Sequence, residues 1–408
     1  MDLDGGLKNV GVFYNMEIKF ATRMENLKGS AIRELLKLTE NPDIISFAGG
    51  LPAPELFPIK ELEEVTIKVL REDGKTALQY SATEGFLPLR EKIVLRMKKA
   101  SVECQPNDIL ITSGSQQGLE FSGKIFINEG DVIICESPSY LGALNAFKAY
   151  QPKFIEISMD KNGMVMEELE KALEQNPNTR YIYTIPDFQN PTGRTMSLER
   201  RKKLVELSYK YNVPIVEDNP YGELRFDGEM LPSVKSFDTK GLVIYLGTFS
   251  KTFCPGLRLG WVVASPEILS KYIVVKQGAD LQTSTIAQRE VSKYLEMYDL
   301  EKHIENLIKV YRKRRDLMLE TMEKEFPSGV TFTRPQGGLF TWVTFPENMD
   351  AAEIMKKSLE EKVAFVPGQS FFPNGEFKNH GRFNYSNMSE DKIVEGIKRL
   401  GKVLKSMI

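Results

Sequence analysis

The stretch Thr248-Phe249-Ser250-Lys251-Thr252-Phe253-Cys254-Pro255-Gly256-Leu257-Arg258 decides the reading of this chain. It follows an apolar run, Gly241-Leu242-Val243-Ile244-Tyr245-Leu246-Gly247, with the character of a buried strand. Such a strand delivers Lys251 into a loop between two hydroxyls, and loops on a rigid scaffold are where functional groups sit. An amine whose pKa is lowered by burial or by a neighbouring cation can form a Schiff base. The hydroxyls of Thr248 and Ser250 with the guanidinium of Arg258 suit a phosphate dianion. One lysine beside one phosphate site suggests pyridoxal 5'-phosphate. A solvated lysine in a polar turn is the commoner reading of any single lysine, but these neighbours argue against it.

That cofactor works as an electron sink while its ring nitrogen stays protonated, which an Asp partner secures. Asp218 ends the run Val213-Pro214-Ile215-Val216-Glu217-Asp218, at the carboxyl edge where open α/β sheets bind ligands. Three residues on, Tyr221 can donate its hydroxyl to the phenolate oxygen of the ring. Another strand pattern, Tyr181-Ile182-Tyr183-Thr184-Ile185-Pro186, runs into Asn190-Pro191-Thr192-Gly193, where Asn190 supplies an amide donor to the same oxygen. Taken singly, Asp218 reads as a helix cap and Asn190 as a turn residue. Three such strand ends in succession make coincidence a poor account.

The run Asp108-Ile109-Leu110-Ile111-Thr112-Ser113-Gly114 also ends on glycine, and Ser115-Gln116-Gln117-Gly118 opens a helix. Free backbone N–H groups and the positive end of a helix dipole then face a phosphate, with Ser115 either a ligand or a plain N-cap. Tyr140, at the start of the next helix, either stacks on the pyridine ring or belongs to the core.

These motifs resemble the class I/II aminotransferases of PLP fold type I. The matching residues are Asn190-Pro191-Thr192-Gly193, Asp218 with Tyr221, Ser250-Lys251-Thr252 through Pro255-Gly256-Leu257-Arg258-Leu259-Gly260, and Arg382-Phe383-Asn384-Tyr385. The likeness runs from about residue 25 to the end. Ser30-Ala31-Ile32-Arg33-Glu34-Leu35-Leu36 and Ser46-Phe47-Ala48-Gly49-Gly50-Leu51-Pro52 resemble the branch of 2-aminoadipate aminotransferase and kynurenine aminotransferase II. The resemblance implies a ping-pong transfer of an α-amino group from aminoadipate, glutamate, leucine or an aromatic amino acid to 2-oxoglutarate or another 2-oxo acid. It implies that Lys251 bonds the cofactor and moves the proton, that Asp218 pairs the ring nitrogen, and that Asn190 and Tyr221 meet the phenolate oxygen. Ser115, Gln116, Thr248, Ser250 and Arg258 then hold the phosphate, beside Tyr140. Tyr80 matches a tyrosine lent to the neighbouring subunit's phosphate in a homodimer. Gly50, Ser30 and Asn190 fall to the substrate, Arg382 to its α-carboxylate, and Arg33 to an acidic side chain.

Short apolar runs at 109–113, 132–136, 154–158, 180–185, 214–218, 241–247 and 259–264 alternate with helical patterns. An α/β fold follows, with a large, mostly parallel seven-stranded sheet between helices. A long charged helical pattern, clearest over 290–325, leads to a smaller α+β domain with strands at 330–334, 339–345, 363–366 and 382–385 and helices at 351–361 and 389–407. The expected divisions are an N-terminal arm and segment, 1–57, packing with the small domain, a PLP-binding domain, 58–282, and the long helix with the small domain, 283–408.

With 408 residues, 41% hydrophobic and 27% charged, the composition is that of an ordinary globular protein. A net charge of -2 points to neither nucleic acid nor an anionic membrane surface. No apolar stretch approaches the roughly 18 residues of a membrane span, and the acidic start lacks signal-peptide order. Three cysteines without metal spacing or a paired framework fit a reducing cytoplasm. The only histidines, His303 and His380, stand in polar sequence, which argues against a His-based metal site or a Ser-His-Asp triad. Arg312-Lys313-Arg314-Arg315 reads as a solvated helix face. A PLP lyase or synthase would use the same cofactor residues, so that alternative stays open. A ligand-sensing module of the kind fused to winged-helix regulators would need a basic helical domain ahead of Ser46, where fewer than about fifty residues stand.

Overall fold

The computed structural model describes residues 18–24, 41, 43–375 and 377–407. Ser30 and Arg33 lie outside these residues. The strands are β1 (Ile45–Ser46), β2 (Ile109–Thr112), β3 (Val132–Ser137), β4 (Lys153–Asp160), β5 (Gly163–Met164), β6 (Thr179–Thr184), β7 (Ile215–Asp218), β8 (Val243–Thr248), β9 (Gly260–Val263), β10 (Thr331–Phe332), β11 (Phe340–Thr344), β12 (Val363–Ala364), β13 (Val366–Pro367) and β14 (His380–Asn384).

One large sheet has the order β2-β9-β8-β7-β6-β3-β4-β5. Strands β8, β7, β6, β3 and β4 are parallel neighbours, while β9 runs antiparallel to both β2 and β8. The sheet therefore has eight strands rather than the expected seven. The addition, β5, is a two-residue antiparallel return beside β4, too short to give a period in the sequence.

Alternation of side chains divides the strands between two layers of helices. Ile133, Tyr181, Tyr183 and Val216 pack with Leu119, Phe121 and Phe147, from helices Ser115–Phe126 and Leu141–Lys148. Ile134, Ile182, Ile215 and Val243 pack on the other face with Leu169, Leu204 and Leu207, from helices Met166–Gln175 and Leu198–Tyr211. Burial on both faces is why these strands read as nearly unbroken apolar runs. The same alternation puts Asp218 on the Val216 face and Glu217 on the opposite one. Because β3, β6, β7 and β8 are parallel, their carboxyl ends converge on one edge, which carries the site.

The smaller sheet has the order β10-β11-β14-β13 and is antiparallel throughout. The N-terminal segment joins this part of the molecule: β1 pairs parallel with β12, Ile45 opposite Val363. Beyond β1, Phe47 O accepts the N–H of Asn384 at 2.9 Å, so residues 47–50 run beside β14 and its Arg382.

Two sequence expectations are corrected here. The long helical pattern is two helices, Thr285–Met297 and Leu300–Glu325, separated at Tyr298-Asp299. Asp299 caps the second by accepting from the N–H groups of Glu301 (3.0 Å) and Lys302 (3.3 Å), satisfying donors that a continuous helix would have used internally. The basic run is not a solvated face, since Arg314 and Arg315 are buried. Arg314 reaches Ser386 O and Glu55, and Arg315 reaches Pro335 O and Asp227, tying the long helix to segments around the site. The histidine settings also differ from their polar sequence: His380 stacks on Trp342 and His303 lies edge-on to Phe253.

Candidate active site

Lys251 stands just past β8, in a turn closed by Ser250 N donating to Thr248 Oγ1 at 3.1 Å. Its Nζ donates to Gly50 O at 2.8 Å, so the amine spans from the large sheet to the segment beside β14. Burial, then the positive charges of Arg382 and Arg258, bring its pKa down to about 8, with Asp218 pulling the other way. A lysine so placed remains mostly protonated at neutral pH but supplies far more neutral, nucleophilic amine than an unperturbed lysine.

Asp218 is buried at the end of β7. Its Oδ2 accepts from the Tyr183 hydroxyl at 3.1 Å, and its Oδ1 has no hydrogen-bond partner among the described residues. Desolvation pushes the carboxyl up to about 7, against the hydrogen bond from Tyr183 and the charge of Lys251. A buried acceptor without a donor is costly and calls for an explanation. A protonated ring nitrogen of pyridoxal phosphate would supply that donor.

The candidate phosphate cradle is the start of helix Ser115–Phe126, whose N-cap is Gly114 with φ +79° and no side-chain cap. Ser115 is thus the first helical residue, not the cap; Gln117 N donates back to Gly114 O at 3.2 Å, and the amides of Ser115 and Gln116 face the open end of the helix. A Cβ at Gly114 would sit 2.4 Å from Arg258 Nη2, so glycine is what lets the guanidinium close over the turn. Arg258 donates to Ser113 O at 3.4 Å and to Ser250 Oγ at 3.5 Å, and Thr248 Oγ1 lies 2.9 Å from Ser250 Oγ. Gln116 donates to Gly142 O at 2.8 Å and accepts from the Tyr140 hydroxyl at 3.4 Å. Two hydroxyls, one guanidinium and a helix N-terminus therefore converge, as phosphate binding requires.

On the far wall, Asn190 donates from Nδ2 to the Tyr221 hydroxyl at 3.4 Å and accepts at Oδ1 from Arg382 Nη1 at 3.0 Å. Arg382 also donates to Ala48 O at 2.7 Å, while its Nε has no partner among the described residues. Its guanidinium lies 4.3 Å from the Phe340 ring centroid and 5.1 Å from that of Phe371. Burial lowers its pKa to about 10, which leaves it a cation at neutral pH.

The structure thus brings Lys251, Asp218, Asn190, Tyr221, Tyr140, Ser115, Gln116, Thr248, Ser250, Arg258, Gly50 and Arg382 into one neighbourhood. Tyr80 is apart from them, with 77% of its surface exposed. Sequence reading passed over Tyr183, the donor to Asp218, and the aromatic rings that flank Arg382. Tyr183 carried one usable signal: strand alternation puts it on the same face as Asp218. The residues fit pyridoxal phosphate, on the partnerless Asp218 oxygen and the glycine-lined cradle.

The chain belongs to the aminotransferase class I and II family, whose profile matches residues 44–400. It is a PLP-dependent transaminase acting on amino acids. Aromatic-amino-acid aminotransferase 1 of Thermococcus litoralis is 46% identical over 95% of this chain and 94% of its own length. The 2-aminoadipate transaminase of Thermus thermophilus is 42% identical, over 94% and 95%. The crystal structure of Pyrococcus horikoshii kynurenine aminotransferase, in complex with PMP, superposes with a TM-score of 0.91 at 43% identity, covering 95% of this chain and 97% of that one.

Proposed function

We propose that the chain passes the α-amino group of 2-aminoadipate, glutamate, leucine or an aromatic amino acid to 2-oxoglutarate or another 2-oxo acid, as a cytoplasmic homodimer. The observation that carries the chemistry is that a lysine of lowered pKa lies within electrostatic reach of a carboxylate with one partnerless oxygen and of a buried arginine. The range of donors rests on the similarity to relatives named for aromatic amino acids, 2-aminoadipate and kynurenine.

Bound pyridoxal phosphate supplies the electron sink that makes the substrate α-carbon acidic. Asp218 would hold the ring-nitrogen proton, Asn190 and Tyr221 would donate to the phenolate oxygen, and Tyr140 would stand beside the ring. Ser115, Gln116, Thr248, Ser250 and Arg258 hold the phosphate. Lys251 would hold the cofactor covalently through Nζ, and the same Nζ, as the neutral amine, would move the proton at the substrate α-carbon. Arg382 receives the α-carboxylate, and Gly50 lines the same wall. Phe340 and Phe371 over the guanidinium keep water from that ion pair.

Exposed Leu78, Tyr80 and Leu281 support the homodimer, because they stand on segments tied together by Ser81 N to Gln282 and by Thr285 to Ala77 O. There Tyr80 would reach the neighbouring subunit's phosphate. Cys104, Cys135 and Cys254 are buried free thiols, in keeping with a reducing compartment. No described helix is long and apolar enough to cross a membrane.

Two substitutions test the substrate reading. Arg382→Ala should lower kcat/KM for every donor together, because every donor has an α-carboxylate. Arg33→Gln should cut it roughly ten- to a hundred-fold for glutamate and aminoadipate, the loss of one charge-assisted hydrogen bond, and leave leucine unchanged. The measurement is kcat/KM for the three donors with an acceptor lacking a second carboxylate. An equal fall for all three in Arg33→Gln would show that Arg33 does not read the side chain.

A further inference from the structure

Glu136 is the penultimate residue of β3, after the apolar run from Val132 to Cys135, and its side chain is buried on the sheet face opposite Asp218. Each polar contact it makes is with a donor. Thr184 Oγ1 donates to Oε1 at 2.6 Å, while Ile185 N at 3.2 Å and Gln189 Nε2 at 3.1 Å donate to Oε2. Burial pushes its carboxyl up to about 7, and these three donors pull the other way.

Gln189 is equally buried and uses the whole of its amide. Beyond Glu136, its Nε2 donates to Pro138 O at 2.7 Å, and its Oε1 accepts from Thr192 N at 3.0 Å and from Thr192 Oγ1 at 2.7 Å. The backbone turns back on itself there too, with Gly193 N donating to Gln189 O at 2.6 Å. One amide therefore joins two loops. Pro138 belongs to the loop that ends in Tyr140, and Thr192 to the loop that begins with Asn190. Full satisfaction of a buried network rigidifies it, and a single reversed partner is costly.

We propose that Glu136 and Gln189 form a positioning pair that sets Asn190, and through it Arg382, relative to Tyr140. Glu136 fixes which end of the Gln189 amide points toward the sheet. That choice of end decides that Thr192 is held by an acceptor and Pro138 by a donor. Asn190, adjacent in sequence, then has one orientation in which Nδ2 reaches Tyr221 and Oδ1 receives Arg382. Neither Glu136 nor Gln189 touches Lys251 or the Arg382 guanidinium, so their effect is exerted through Asn190. The inference rests on the roles given above to Asn190 and Arg382.

Gln189→Glu tests it by setting two carboxylates against each other and a carboxylate against Pro138 O. The quantities to measure are the dissociation constant of pyridoxal phosphate from the apoprotein, and KM and kcat per bound cofactor. The dissociation constant and the donor KM should each rise roughly ten-fold or more. In Glu136→Gln/Gln189→Glu the bond between the two side chains is restored with reversed polarity, so part of both losses should return, while Pro138 O stays opposite a carboxylate and Ile185 N loses its acceptor. In an Asn190→Ala background, Gln189→Glu should add little to either quantity. Should Gln189→Glu fail to accumulate as folded protein, Gln189→Ala takes its place in the same background comparison. A lowered Tm with unchanged dissociation constant and KM would overturn the pair, as would an effect equally large in the Asn190→Ala background. If Asn190→Ala itself leaves cofactor binding and KM unchanged, the site assignment falls before this inference does.

Discussion

Replacing Lys251 with alanine is expected to lower turnover by at least about a thousand-fold while cofactor still binds without a covalent bond. General base catalysis alone contributes about 10²–10⁴-fold, and the covalent exchange at the same nitrogen is lost with it. The binding that remains comes from groups the substitution does not touch: Asp218, the Gly114 turn, Arg258 and the two hydroxyls near it. Alanine also removes the contact of Nζ with Gly50 O, so the 47–50 segment loses one tie to the large domain. That loss affects affinity for substrate more than the chemical step. Borohydride reduction of the wild-type holoenzyme should fix the cofactor's mass on the peptide carrying Lys251, and the alanine variant should take up no label. Activity of Lys251→Ala within ten-fold of wild type would remove the lysine from the reaction.

Asp218→Asn should slow the half-reaction with an amino donor by roughly 10²–10³-fold, the scale of losing one preorganised electrostatic partner. Asn is nearly isosteric, so the contact with Tyr183 and the packing at the end of β7 should persist. Asp218→Glu keeps the charge and should be milder. Stability of the apoprotein should move the opposite way. The Asp218 carboxyl titrates near 7 in the folded chain against a reference value of 3.8, chiefly because burial disfavours its charge. The folded state therefore binds the proton more tightly, and its stability falls as pH rises from about 4 through 7. Apo Asp218→Asn should accordingly melt above apo wild type at pH 8, with the difference narrowing toward pH 4. Equal half-reaction rates for wild type and Asp218→Asn would leave the carboxylate a purely structural role.

The candidate site was legible in the sequence because it is built at strand ends. Asp218, Asn190 and Lys251 each follow an apolar run, and parallel strands bring such ends to one edge whatever the loops between them do. Arg382 was legible only through resemblance, since it lies within its strand rather than at its end, and its ring neighbours, Phe340 and Phe371, come from distant segments. The pairing of β5 escaped because two residues carry no period. The break at Tyr298-Asp299 had a signal in the capping aspartate, but the charged pattern on either side concealed it. Arg314 and Arg315 show why charge runs mislead: a helix turns about 100° per residue, so four consecutive cations cannot share one face. Glu136 was also visible in principle, as a lone carboxylate in an apolar strand. What it does depends on Gln189, which only the folded chain brings to it.

The most direct test of the account is a single-turnover experiment on the holoenzyme with glutamate and no 2-oxo acid acceptor. A transaminase must stop after one 2-oxo acid per active site, because the amino group stays with the enzyme until an acceptor removes it. The account predicts a burst of one equivalent of 2-oxoglutarate, no free ammonia, and renewed turnover only when a second 2-oxo acid is added. Sustained product release without acceptor, with ammonia or another leaving group accumulating, would contradict it.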